Sequence, residues 1–233
     1  MMDRRRFNKL CGSLIGGAAS VHFEAGPLMA SDKTPYPHSR LVYEDETPVS
    51  LQSLEVGSSF VFGYPYVTTP CFLIKLGRSS PAQGSWPGGL DEDQSVVAFS
   101  AICSHKMSHP ARPISHISYR EKPVRFHDAT GQEHHRDGVI SCCSERSVYD
   151  PANAGKVLAG PAPVPLAAIA LSHDEHGNIS AQGSFGDDQY ERFLNKFGFR
   201  LAMEYGVTDV RARSGSQCTC VPADTFSAQQ VLC

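Results

Sequence analysis

The apolar residues come mostly in short runs that alternate with polar positions. Runs at 59–64 (SFVFGY), 71–76 (CFLIKL), 95–102 (SVVAFSAI), 138–142 (GVISC), 165–172 (PLAAIALS) and 178–182 (NISAQ) are bounded by Gly, Pro, Asp and Ser clusters. Runs of this length and composition predict strands, and the plan they predict is all-β and antiparallel. Asp174 to Asn178, with Gly177, predicts a hairpin turn between the last two strands. The Gly, Pro and Ser-rich stretch 77–93 reads as a long loop. One helix is expected over 187–197. Asp187 and Asp188 favour its N-terminus, Tyr190, Phe193, Leu194 and Phe197 form an i, i+3, i+4, i+7 stripe, and Gly198 ends it. That stripe packs on the sheet of its own domain or on a partner subunit. Beyond Gly206 the composition predicts an extended or partly disordered tail.

Composition narrows the class of protein. The 233 residues are 41% hydrophobic, enough for one globular domain with extensions. The formal net charge of -3 gives no basic excess for reading phosphates, which sets nucleic-acid binding aside. The opening MMDRRRFNKL carries Arg4-Arg5, Phe7 and Lys9 ahead of a Gly/Ala-rich apolar stretch at 10–19, and closely resembles a bacterial twin-arginine export signal. The stretch is too short for a transmembrane helix, which needs about 20 apolar residues. Residues 1–30 are therefore expected to be a signal segment, with cleavage plausible near Leu28-Met29-Ala30, and the rest a periplasmic protein with 17 Lys and Arg against 22 Asp and Glu. Export of this class carries folded proteins, commonly with a cofactor already inserted. Of the eight cysteines, Cys11 lies in the signal and seven remain, an odd number. A bridge from Cys233 to Cys218 or Cys220 is one expectation, and free or partner-linked thiols are the other; Cys218 and Cys220 are too close in sequence to join easily.

Candidate chemistry sits at two strand ends. The run 95–102 leads into Cys103-Ser104-His105, and the run 138–142 into Cys142-Cys143-Ser144-Glu145. Two loops that each deliver a thiolate and a second donor suit a small metal centre. These boxes, VVAFSAICSH at 96–105 and CCSERSVYDP at 142–151, together with GPAPVPL at 160–166 and the upstream 56–77, resemble the Rieske iron–sulfur proteins, and among them the small subunit of arsenite oxidase. The likeness extends over roughly 50–185. It implies a Rieske-like antiparallel β-sandwich at 31–185 with a long inserted hairpin, followed at 186–233 by a C-terminal helix and extended tail.

The resemblance also implies a [2Fe-2S] cluster with Cys103 and Cys142 on one iron and His105 on the other. Glu145 stands where the family has its second histidine. Ser147 and Tyr149 fall where family hydroxyls hydrogen-bond the cluster sulfurs, and 160–166 where a proline-rich loop covers the cluster. Ser108, beside Met107, and Ser144 occupy the positions of a family disulfide, which cannot form here. The boxes are 36 residues apart, and HDATGQEHHRDG within that insertion predicts a protruding hairpin. A carboxylate in place of an imidazole adds one negative charge, favours the oxidised centre and lowers its potential. Cys143, His109, His134 or His135 could instead supply the fourth ligand; the site could be cluster-free, or hold zinc on two Cys, one His and one Glu.

The function implied is single-electron transfer between a large molybdopterin-type oxidoreductase subunit and a carrier such as a c-type cytochrome, within a hetero-oligomer and without substrate turnover of its own. A cluster-free docking subunit is the competing expectation. A ring-hydroxylating oxygenase is disfavoured, because the chain is too short to add a mononuclear-iron domain.

Overall fold

The computed structural model describes residues 33–233, so the signal expected at 1–30 lies outside the described residues. In chain order the strands are β1 (Thr34–Val42), β2 (Ser59–Gly63), β3 (Pro70–Lys75), β4 (Pro81–Gln83), β5 (Trp86–Gly88), β6 (Val96–Ser100), β7 (Ile117–Arg120) and β8 (Val124–His127). They continue with β9 (Glu133–Arg136), β10 (Val139–Cys142), β11 (Ser147–Asp150), β12 (Lys156–Ala159), β13 (Ala168–His173) and β14 (Ile179–Phe185). Helix α1 (Tyr190–Tyr205), β15 (Gln217–Thr219), β16 (Val221–Pro222) and the short α2 (Ala223–Phe226) complete the order. The fold is the expected mostly antiparallel β plan.

Eight strands form one sheet in the order β15-β1-β14-β13-β6-β3-β2-β16. All neighbours are antiparallel except β1 and β15. Its two edge strands are separated in sequence by Cys220 alone, so the sheet curls until its edges meet. A second sheet, β12-β11-β10-β7, lies against it. One core gathers Leu41, Phe62, Leu73, Ala98, Ile169 and Ile179 from inside the curl. Their neighbours facing outward, Phe72, Ile74, Val97 and Phe99, pack with Ile117, Ile140 and Tyr149 of the smaller sheet. Strands β3 and β6 are covered on both faces. That is why their sequences are unbroken apolar runs rather than alternating ones.

Several expectations change. The stretch 77–93 contains the small hairpin β4–β5. The insertion does form a hairpin, β8–β9, but its base is not free of the domain: Val124 and Phe126 pack with Val139, Val148 and Ala159. Helix α1 does not stop at Gly198: it runs 16 residues to Tyr205 and ends at Gly206, whose φ of 63° is the left-handed conformation that glycine adopts freely. Apolar Leu201 and Tyr205 continue the stripe, and their burial outweighs the roughly 1 kcal/mol that an interior glycine costs. The tail is ordered, because β15 and β16 close the large sheet. Cys233 is bridged to Cys143, not to Cys218 or Cys220, which are buried free thiols. Among the described residues no helix is long and apolar enough to cross a membrane.

Candidate metal centre

Two hairpin-like turns carry the boxes. After β6 the chain bends at 103–108, closed by Cys103 N–H to Ser108 O (2.9 Å) and Met107 N–H to Cys103 O (2.9 Å), with Met107 at φ 63°. The second turn joins β10 to β11, where Cys142 pairs with Ser147 across the ladder and Arg146 takes φ 58°. Both tips thus hold a non-glycine residue in the left-handed region, a strained conformation that surrounding contacts must impose.

The turns bring Cys103 and Cys142 together as a buried thiol pair. Cys103 is pushed below the usual thiol range, first by the hydrogen bond from Cys142, then against burial by Tyr149 Oη (3.1 Å) and the backbone N–H groups of His105 and Lys106. Cys142 is pushed up, chiefly because it donates to Cys103, although Ser144 N–H and the Ser108 hydroxyl also face its sulfur.

Fully buried Tyr149 comes from β11. Its oxygen also accepts from Ser104 N–H (3.1 Å) and lies 3.3 Å from Ser104 Oγ, and Ser104 Oγ donates to Val164 O (2.7 Å). The expected cover loop is therefore tied to the first box through Ser104. It also lies directly on the second: a Cβ on Gly160, whose φ is 84°, would meet Arg146 O at 2.4 Å and Ser147 Cα at 2.6 Å. Ser147 Oγ is buried without a hydrogen-bond partner.

The other two predicted donors pair at the rim. His105 Nδ1 lies 3.3 Å from Glu145 Oε2, with the side chains 26% and 34% exposed. The contact is not aligned as a hydrogen bond, so Nδ1 faces the carboxylate without a hydrogen-bond partner. Lys106 Nζ donates to Glu145, and that bond, followed by the attraction of Lys106 and His105, holds the carboxyl below its ordinary range. Of the alternative ligands, Cys143 is consumed by its disulfide. His109 turns its ring onto Phe193 and Phe197, while His134 and His135 bind Asp128 and Glu133 within the insertion. Sequence reasoning missed Ser104 and Lys106. Their adjacency to the ligand positions was the available signal.

Among the described residues no group of three or more His, Cys, Asp or Glu side chains is arranged to hold a metal ion. The donors lie instead in two pairs, Cys103 with Cys142 and His105 with Glu145. A single zinc ion asks for three or four donors about one point, whereas a two-iron centre takes two protein ligands on each iron. The two separate pairs, the Ser147 Oγ without a hydrogen-bond partner and the cradle of N–H groups at Cys103 fit the second case better than the first.

No protein-family model matches the chain. It is 31% identical over 106 residues to iodate reductase subunit IdrB of Pseudomonas sp. (strain SCT), a match over 45% of this chain and 48% of that protein. The match thus spans about half the length of that curated relative. Among solved structures, the soluble domain of Rieske protein II (soxF) from Sulfolobus acidocaldarius matches with a TM-score of 0.44 and 23% identity, over 64% of this chain and 78% of that one. The two boxes stand at the ends of β6 and β10 and are joined through Tyr149, an arrangement that agrees with the Rieske resemblance their sequences carry.

Proposed function

We propose that the protein is a periplasmic electron-transfer subunit that holds a [2Fe-2S] cluster on Cys103 and Cys142 at one iron and on His105 and Glu145 at the other. It relays electrons between a large molybdopterin-type oxidoreductase subunit and a c-type cytochrome or similar carrier. The observation that carries this reading is the buried thiol pair, with Tyr149 Oη and two backbone N–H groups on Cys103 and the unpaired Ser147 Oγ beside it. When bound, such a cluster supplies one reversible electron per turnover.

The chain's own groups set the tendency to accept that electron. Donors aimed at Cys103 sulfur stabilise added negative charge and favour reduction. Glu145 contributes an anionic donor and favours oxidation, an effect that the Lys106 ammonium partly offsets. His105 presents a partly exposed imidazole at the rim, where a redox partner can approach. Support for the periplasm comes from the twin-arginine-like opening and from the Cys143–Cys233 bridge, which an oxidising compartment preserves. Likeness to an iodate reductase subunit supports a place in a hetero-oligomeric oxidoreductase.

A second reading has one observation in its favour: Glu145 is already engaged by Lys106 and His105, as in a cluster-free docking subunit. Protein purified without oxygen separates the two. The electron-transfer reading expects about two irons and two sulfides per chain and a [2Fe-2S] electron paramagnetic signal on reduction. Glu145→His then raises the midpoint potential, and an unchanged potential removes Glu145 from the ligand set. Colourless protein without iron, recovered only inside a complex, establishes the docking role instead.

A further inference from the structure

The C-terminal segment behaves as a strap across both boxes. After α2, Ser227 Oγ donates to Ala111 O (2.7 Å) and Ala228 N–H to Arg112 O (2.7 Å). Ser115 N–H then donates to Gln229 O (2.9 Å), Val231 N–H donates to Ser115 O (2.8 Å), and Gln230 pairs with Ser115 as a parallel bridge. The strap follows 111–115, the segment that leaves the first box for β7. One residue further, His116 O accepts from Cys143 N–H at 2.6 Å, which places the second box against the same segment. The strap ends there: Cys233 is bonded to Cys143, with the Cα atoms 5.6 Å apart.

Cys143 immediately follows Cys142, whose thiol faces Cys103. A covalent anchor at 143 therefore acts within one residue of the thiol pair. The chain has Ser108 and Ser144 where the resemblance places a disulfide between the boxes, so no direct bridge limits their separation. Nor does either tip relax freely, since Met107 and Arg146 are both held at positive φ.

We propose that the strap 227–233 and the Cys143–Cys233 disulfide are the clamp that positions the second box against the first, in place of a bridge between the boxes themselves. The inference rests on the two boxes being the functional loops, and not on what they bind. Cys143 and Cys233 are positioning residues on this view.

Amide hydrogen exchange of the full chain tests it, whatever the metal content. In the double variant Cys143→Ser, Cys233→Ser, amides 143–147 and 111–116 exchange at least tenfold faster, while those of β3 and α1 keep their rates. Removal of 229–233 extends the effect along 111–116. If the box amides keep wild-type rates in both variants, or if β3 accelerates by the same factor, the strap is not a local clamp and the proposal fails. Iron analysis of the same samples reports separately on the electron-transfer reading, so the two can fail independently.

Discussion

Tyr149 shows how much of the site one atom organises. Its buried oxygen touches Cys103 Sγ, Ser104 N–H and Ser104 Oγ, so it links the end of β11 to the first box and, through Ser104, to the cover loop. Tyr149→Phe leaves the shape almost unchanged but strands Ser104 N–H in the interior. An unsatisfied buried donor costs about 1–3 kcal/mol. The expected result is a loss of about 1–2 kcal/mol in urea unfolding. In iron-loaded protein the same substitution lowers the midpoint potential, because a donor to cysteine sulfur has been removed. A variant as stable as wild type, with an unchanged potential, would mean that the hydroxyl is incidental.

Helix α1 lies against the first box as well as the sheet. Phe193, Leu194 and Leu201 bury with Tyr66 and Ile102, Met107 packs at the edge, and Gln189 Nε2 donates to Ser104 O (3.4 Å). His109 is wedged between the two elements. Its ring edges onto Phe193 and Phe197 at 4.7 and 5.2 Å, and neutral Nδ1–H donates to Met107 O (2.9 Å), leaving Nε2 buried and unpaired. Burial first of all lowers its pKa; Met107 O and Glu204 act in the opposite sense, and Arg200 adds to the lowering. As pH falls through the unfolded value of about 6.5, the unfolded chain takes up a proton that the folded chain refuses, so stability is lost on acidification. His109→Leu should gain stability relative to wild type between pH 7 and pH 5, at up to about 1.4 kcal/mol per pH unit. Paired urea titrations across that range check it, and parallel pH profiles for the two proteins would discard the idea.

The start of this helix was legible in the sequence because Tyr190, Phe193, Leu194 and Phe197 repeat at helical spacing. Its end was not, because burial of Leu201 and Tyr205 against the tertiary core overrides the local signal of Gly198. Strands β3 and β6 were legible from their apolar runs, whereas β15 and β16 are two to three residues long and exist only as edges of a sheet formed elsewhere. At the site, the sequence named both thiols, Tyr149 and Ser147. It could not show that Lys106 reaches Glu145, since a contact across 39 residues depends on how the two turns face each other.

At the scale of the molecule, the chain is closed twice. Hydrogen bonds close the large sheet where β15 passes into β16, and the Cys143–Cys233 bridge closes a loop with a sequence separation of 90. No spacing rule links those cysteines, and local clustering pointed instead to a bridge among Cys218, Cys220 and Cys233. The folded chain prevents that: Cys218 is committed to β15, with its thiol donating to Gly63 O (3.1 Å), while the strap carries Cys233 away to the second box. A cross-link of this span acts largely on the unfolded ensemble, where it removes many extended conformations, and bridges of its kind stabilise by about 2–4 kcal/mol. The double variant Cys143→Ser, Cys233→Ser should therefore unfold at lower guanidinium concentration, with a stability loss in that range. Its denaturant slope should rise, because the released unfolded chain exposes more surface. Those two changes occur together only if the bridge acts on the unfolded chain. A lower midpoint at constant slope would place its contribution in the folded state instead, in the contacts that hold the second box.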